Sequence, residues 1–212
     1  MDCVLLSRMS GLPPAVNLRE LRDRLAICSE DVIYHHFCET WLRPTFDDPE
    51  FRNDFALWAN SGLHDRVLAE RLAIIDPYEY TAIADLRQHL LELIEERLSE
   101  LQPWVPMARA GLEFNFMQAT TVVFDTGERI GTPKHLADAV GRMTNGSIYF
   151  HFLEARRRPP LLQDDFGAWL TTLNGGYQRL IGALSEIDIY FSSLAEIRSE
   201  IVRVLAEMRG GQ

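Results

Sequence analysis

Apolar residues recur at spacings of three and four in two long stretches of this chain. Ile83, Leu86, Leu90, Leu93, Ile94 and Leu98 form one stripe, and Leu194, Ile197, Ile201, Val204, Leu205 and Met208 form the other. Each spacing predicts an amphipathic helix with one buried face. Shorter helices are announced by their starts. Asn17 followed by Glu20 is a capping-box pattern ahead of a helix over 18–28. Thr132 and Pro133 open a matching one that runs to Met143. Ser29 is expected to cap a helix carrying Tyr34 to Arg43, and the 144–147 stretch introduces one carrying Tyr149 to Arg158. Both stop before proline, at Pro44 and at Pro159-Pro160. Asp48-Pro49-Glu50 starts a helix through Phe55 and Trp58 that ends near Gly62, and its counterpart runs through Phe166 and Trp169 to Asn174-Gly175-Gly176. Asp76 and Asp188, each between helices and ahead of an aromatic residue, read as caps.

The pattern changes between the two long stripes. Pro103-Trp104-Val105-Pro106 breaks the first. Phe114-Asn115-Phe116 then alternates, and Thr120-Thr121-Val122-Val123-Phe124 is β-branched and aromatic, which predicts extended structure. Asp125-Thr126-Gly127 reads as a turn. We expect strands near 4–7 and 113–124, paired with each other.

The elements come in the same order twice, and so do particular residues. Ile33-Tyr34-His35-His36-Phe37 returns as Ile148-Tyr149-Phe150-His151-Phe152. Leu21 matches Leu136, Asp23 matches Asp138, Glu39 matches Glu154, and Arg43-Pro44 matches Arg158-Pro159. Further on, Asp54-Phe55 and Trp58 match Asp165-Phe166 and Trp169, Ile75-Asp76 and Tyr78 match Ile187-Asp188 and Tyr190, and Arg87 matches Arg198. The expected fold is therefore mainly α, two tandem helical modules (1–102 and 103–212) related by a pseudo-twofold, with a small β element and packed as one compact body.

Composition narrows the partners. A net charge of −10 opposes nonspecific nucleic-acid binding, which needs a positive surface for phosphates. No apolar run approaches the length of a membrane helix, and the first residues lack the basic start and apolar core of a signal peptide. Cys3, Cys28 and Cys38 show no C-x-x-C spacing, which fits a reducing cytoplasm better than a disulfide framework. Self-association remains open, as does a protein partner or a small ligand.

One constellation bears chemistry. On a helical wheel His36, Glu39 and Arg43 share a face opposite Ile33, Phe37 and Trp41, and His151, Glu154 and Arg158 repeat the trio. Three readings stand. The face is solvated, with Glu39 and Arg43 as an i,i+4 ion pair. Or it is a buried network in which each carboxylate is satisfied by arginine, histidine or tyrosine donors. Or it is a site: His36, Glu39, His151 and Glu154 make an N/O set suited to zinc, manganese or iron. The arginines oppose a cation, so an anion held by Arg43, Arg158 and the hydroxyls of Tyr34 and Tyr149 stands beside the metal. Arg156-Arg157-Arg158 suits a helix C-terminus. No P-loop, G-x-G-x-x-G, G-x-S-x-G or H-E-x-x-H motif occurs, no catalytic residue is assigned, and no cofactor follows.

The stretches 122–127, 147–152 and 165–170 together resemble a bacterial family of hypothetical cytosolic proteins classed as a domain of unknown function. The resemblance spans nearly the whole chain and implies a bacterial cytoplasmic protein without lending an activity. The reading that follows is a non-catalytic binding or scaffold module; the alternative is a metal- or anion-dependent enzyme with its site between the two His-x-x-Glu helices.

Overall fold

The structure, a computed structural model, describes residues 1–42, 51–173, 176–189 and 192–207. Arg43, the 48–50 helix start, Asn174, Gly175, Tyr190 and Met208 lie outside these residues. The chain is mainly α with one two-stranded antiparallel sheet. The strands are β1 (Asp2–Met9) and β2 (Met117–Phe124), paired with each other as expected. Among the described residues, no helix is long and apolar enough to cross a membrane.

Contacts divide the chain into two units, Leu5–Thr120 and Met1–Val4 with Thr121–Gln212. The expected boundary between 102 and 103 thus falls inside the first unit. The reason is that the segment after the first long helix bonds back to the chain ahead of the first short one. Ala15 pairs with Phe114 and Asn17 with Met107 as antiparallel bridges, and Ala108 N–H donates to the Val16 carbonyl over 2.7 Å. Phe114 therefore belongs to this bridge, and β2 begins at Met117, later than expected.

The Leu5–Thr120 unit holds α1 (Leu18–Ile27), α2 (Glu30–Phe37), α3 (Asp54–Ser61), α4 (Arg66–Ala73) and α5 (Ile83–Glu100). The capping box at α1 forms: Asn17 Oδ1 accepts from Glu20 N–H and Glu20 reaches back to Val16 N–H. Asp76 caps the turn after α4 by accepting from Tyr78 N–H. Ser29 makes no cap bond to α2; its hydroxyl lies 3.3 Å from the Gln118 amide. The stripe of α5 is buried at Leu86, Leu90, Ile94 and Leu98, and α1, α2 and α4 pack on it. Arg87 from α5 donates to the Cys28 carbonyl at the end of α1 (2.9 Å).

The other unit holds α6 (Leu136–Arg142), α7 (Asn145–Ile148), α8 (Asp165–Thr171), α9 (Gln178–Ser185) and α10 (Leu194–Glu207). Pro133–His135 forms a 3-10 turn ahead of α6, and Thr132 turns to His135 Nδ1 instead of capping the backbone. Thr144 caps α7 by accepting from Ser147 N–H. The chain then winds through one π-helical turn, Tyr149–Leu153, and a 3-10 turn, Glu154–Arg157. The α10 stripe is buried at Leu194, Ile197, Ile201, Val204 and Leu205, and α6, α7 and α9 pack on it. Arg198 from α10 donates to the Met143 carbonyl at the end of α6 (2.8 Å). The start of β1 crosses α7 so closely that a Cβ on Gly146 would collide with the Cys3 carbonyl.

Candidate functional site

In the Leu5–Thr120 unit His36 ends α2 and is buried. Its Nε2 accepts from the Met117 N–H (2.9 Å). A ring nitrogen that accepts carries no proton, so Nδ1 is the protonated one and donates to Asp54 Oδ2 at 2.5 Å. The ring is packed by Phe55 and Phe114. Glu39, where a 3-10 turn over Glu39–Leu42 begins, pairs with His35 at the i,i+4 spacing of an α-helix (2.8 Å), and both are buried. The solvated reading of this face is therefore overturned for His36 and Glu39. Tyr34 is half-buried; Arg43 lies outside the described residues, so the anion arrangement drawn through it has no described geometry.

In the other unit His151 sits in the π-helical turn. Its Nδ1 lies 2.7 Å from Asp165 Oδ2 and its Nε2 lies 3.2 Å from the Met1 carbonyl. Both ring nitrogens face acceptors, an arrangement satisfied when both carry protons. Arg158 joins the same carboxylate oxygen at 2.8 Å, donates to the Phe150 carbonyl, and lies 4.4 Å over the Phe150 ring. Burial alone would raise the Asp165 carboxyl, but hydrogen bonds from His151 and Arg158, aided by their charges, outweigh it and hold the group below its ordinary value. So the fold does bring His151 and Arg158 together, through an aspartate that the helical wheel left out. Tyr149 is buried and Glu154 half-buried.

His36 and Glu39 belong to one unit, His151 and Glu154 to the other. Among the described residues, no three His, Cys, Asp or Glu side chains gather as a metal set. Sequence reasoning missed Asp54 and Asp165 as the histidines' partners. The signal was present, since both aspartates recur in the repeat beside Phe55 and Phe166.

A cleft of about 330 Å³ opens in the second unit. Its floor is His151, Asp165, Phe166 and Trp169, and its rim includes Ile130 and Arg142. Arg142 is already paired with Glu128 (2.7 Å), and the neighbouring Arg129 with Asp125 (2.6 Å). That pairing holds the Asp125 carboxyl well below the usual carboxylate range. Rim cations neutralised in this way give little pull on a free anion. The indole N–H of Trp169 has no acceptor among the described residues, and neither the N–H nor the carbonyl of Ile130 is hydrogen-bonded among them.

Behind the floor, Asp164 caps α8 by accepting from Gly167 N–H, and burial pushes its carboxyl up, offset in part by that bond and by Arg156. In the first unit Asn53 caps α3 in the same manner and donates to the Leu72 carbonyl. A raised carboxyl means that the folded state holds the proton more tightly than the unfolded chain. Stability from Asp164 is therefore greatest below its ordinary value, near pH 4, and declines as pH rises through its folded value. Asp164→Asn should leave stability unchanged in acid and raise it at neutral pH, by about 0.5–2 kcal/mol as is usual when a poorly suited residue is corrected. Melting temperature against pH checks this; a variant that loses stability at pH 7 would show that the ionised group is needed there.

A family model, the family of unknown function DUF5752, matches residues 1–206. The chain belongs to that family. The structure is similar to that of OrfY from Thermoproteus tenax, with 29% identity, a TM-score of 0.78, and coverage of 97% of this chain and 92% of the other. No curated protein matches. The family brings no activity with it, so the chemistry of the cleft has to carry the functional reading.

Proposed function

We propose that the chain is a duplicated, non-catalytic binding module whose ligand site is the cleft of the second unit. The observation that carries this is a contrast between matched residues. His36 and His151 each hold an aspartate through Nδ1, and Arg87 and Arg198 each hold the carbonyl that ends a preceding helix. Phe55 and Phe166 each lie against the matched histidine. These matched contacts support a duplicated scaffold, yet Trp58 is buried with its indole N–H on the Leu112 carbonyl (2.7 Å), while Trp169 is half-buried and its N–H is free among the described residues. One copy is closed by the chain's own segment and the other is open.

Binding without turnover is supported by the engagement of the cleft's reactive groups. His151 has a partner on both nitrogens, and the Ser147 hydroxyl donates to the Met1 carbonyl (3.1 Å). A general base needs a free lone pair within reach of substrate, and the open groups are instead an indole N–H, a backbone edge and an aromatic floor. The same reading sets the protein in a reducing cytoplasm, where the three buried cysteines, none in a disulfide, stay as thiols.

The test is a thermal-shift panel of inorganic phosphate, citrate, adenosine triphosphate, glucose and the aromatic amino acids, with each mixture followed by NMR. The expected result is a saturable rise in melting temperature from one class, absent in Trp169→Ala, with the probe chemically unchanged. Conversion of a probe that stops in His151→Ala would make the protein an enzyme and overturn the reading. So would the absence of any Trp169-dependent shift, both from the panel and from the peptide tested below.

A further inference from the structure

We infer that the cleft of the second unit takes an extended peptide segment bearing an aromatic side chain, supplied by a partner polypeptide. The inference rests on the binding reading above and names its ligand class.

The template lies inside the molecule. In the first unit Phe114 stacks on Phe55 (5.0 Å between centroids, 19° between planes), contacts His36 at 4.8 Å and meets Trp58 edge-on at 5.6 Å. Its backbone exchanges two hydrogen bonds with Ala15, at 2.9 and 2.8 Å. Two residues upstream, the Leu112 carbonyl accepts the Trp58 indole N–H. One short segment is thus held at three points: a ring on an aromatic floor, a bridged backbone, and a carbonyl on an indole.

Each of the three receptors has a counterpart in the second unit. Phe166, His151 and Trp169 repeat the floor. Ile130 stands six residues before Leu136 as Ala15 stands six before Leu21, and its N–H and carbonyl are unbonded among the described residues. The Trp169 indole N–H likewise has no described acceptor. A small aromatic molecule would answer only the floor. The paired N–H and carbonyl of Ile130 ask for another backbone, as in strand addition to an open edge. Phe114-Asn115-Phe116 is already seated in the first unit, where tethering gives it a high effective concentration. Among the described residues no such segment lies on the second cleft, and on this inference a segment from another polypeptide takes that place.

The probe is a capped peptide copying residues 110–117, titrated into the full chain by calorimetry. We expect saturable one-to-one binding. It should weaken at least ~10-fold when the peptide carries Phe114→Ala, since a whole aromatic contact is lost. Ile130→Pro in the protein, which removes one bridging N–H on an exposed loop, should weaken it about 5-fold or more. Trp169→Phe, which keeps a ring and removes the indole N–H, should do the same. Equal affinity for the two peptides overturns the inference, as does indifference to both protein variants. A Trp169-dependent dimer seen by sedimentation would assign the cleft to a second copy and overturn the partner. If the peptide fails while a probe from the small-molecule panel gives a Trp169-dependent shift, the binding reading stands and the peptide falls; if nothing binds, both fall.

Discussion

Replacing Phe114 with alanine should destabilise the protein by about 3–5 kcal/mol, the range for removing a buried aromatic ring. Phe114 is buried and makes ring contacts with Phe55, Trp58, His36 and Phe116. It does not sit inside one element, where neighbours could close over the hole. Its ring is the plug between the 103–116 segment and α3, so its loss strips ring contacts from both Phe55 and Trp58. The loss should appear in a urea melt, together with a red shift of Trp58 emission as water reaches the indole. Leu112→Ala is the control. That residue is exposed, 43% by area, and its hydrogen bonds run through its backbone N–H and carbonyl, which alanine keeps, so the cost should stay under about 1 kcal/mol. If the two variants cost the same, the 103–116 segment is not held by the Phe114 ring, and the template for the peptide inference goes with it.

That plug was half legible in the sequence. The alternation Phe114-Asn115-Phe116 marked an extended segment with two rings on one side, and the structure buries both. Where the rings go was not legible, because Ala15 and Phe114 are joined by a backbone bridge that no side-chain pattern encodes. The α5 and α10 stripes were readable for the opposite reason: burial of one face leaves a period in the sequence; β2 was readable from its β-branched and aromatic residues alone. Caps divide along similar lines. Asn17 and Asp76 cap as expected, since a short polar side chain next to its own backbone needs no tertiary help. Ser29 and Thr132 find other partners nearby.

The His-Glu-Arg trio shows where helical-wheel reasoning fails. It assumed a continuous α-helix from Ser29 to Arg43. A change to 3-10 or π winding alters the angle per residue and costs little locally, so composition gives no warning of it. In the first unit Glu39 bonds His35 at the ordinary i,i+4 spacing of an α-helix, while His36 turns to Asp54. In the second the change of winding leaves His151 and Arg158 converging on Asp165. The sequence matches were the better guide for some residues: Asp54 and Asp165, and Arg87 and Arg198, make corresponding hydrogen bonds, whereas the bonds of Glu39 and Trp58 have no such counterpart among those described. A bond across 14 or 18 positions depends on how α3 and α8 dock, and only that docking turns a matched aspartate into a histidine's partner.

Asp65→Ala should be the second large effect, about 3–5 kcal/mol, and here the sequence offered no hint. Asp65 caps α4 by accepting from Leu68 N–H (3.1 Å) and holds Arg97 of α5 by two bonds, Nε to Oδ2 at 2.8 Å and Nη2 to Oδ1 at 2.9 Å. Its side chain is buried, and Arg97 is mostly so. Its hydrogen bonds to Asp65, then burial working against them, then a bond to Glu100 leave the Arg97 guanidinium raised above its ordinary value. Loss of the cap alone costs about 1 kcal/mol, and breaking a buried pair by deleting one partner costs about 3–5. Arg97 keeps Glu100 at 2.7 Å, which favours the lower end of that range. Asp65→Asn separates the two contributions. It keeps the capping oxygen and one bond to Arg97 but removes the charge, so it should lose roughly half as much. Amide hydrogen exchange locates the effect: protection should fall first in α4 and α5, whose only described link through a buried ion pair is this one, and stay in α9 and α10, which share no ion pair with Asp65. Equal losses in α9 and α10 would mean that the clamp supports the whole chain and that the two units unfold together.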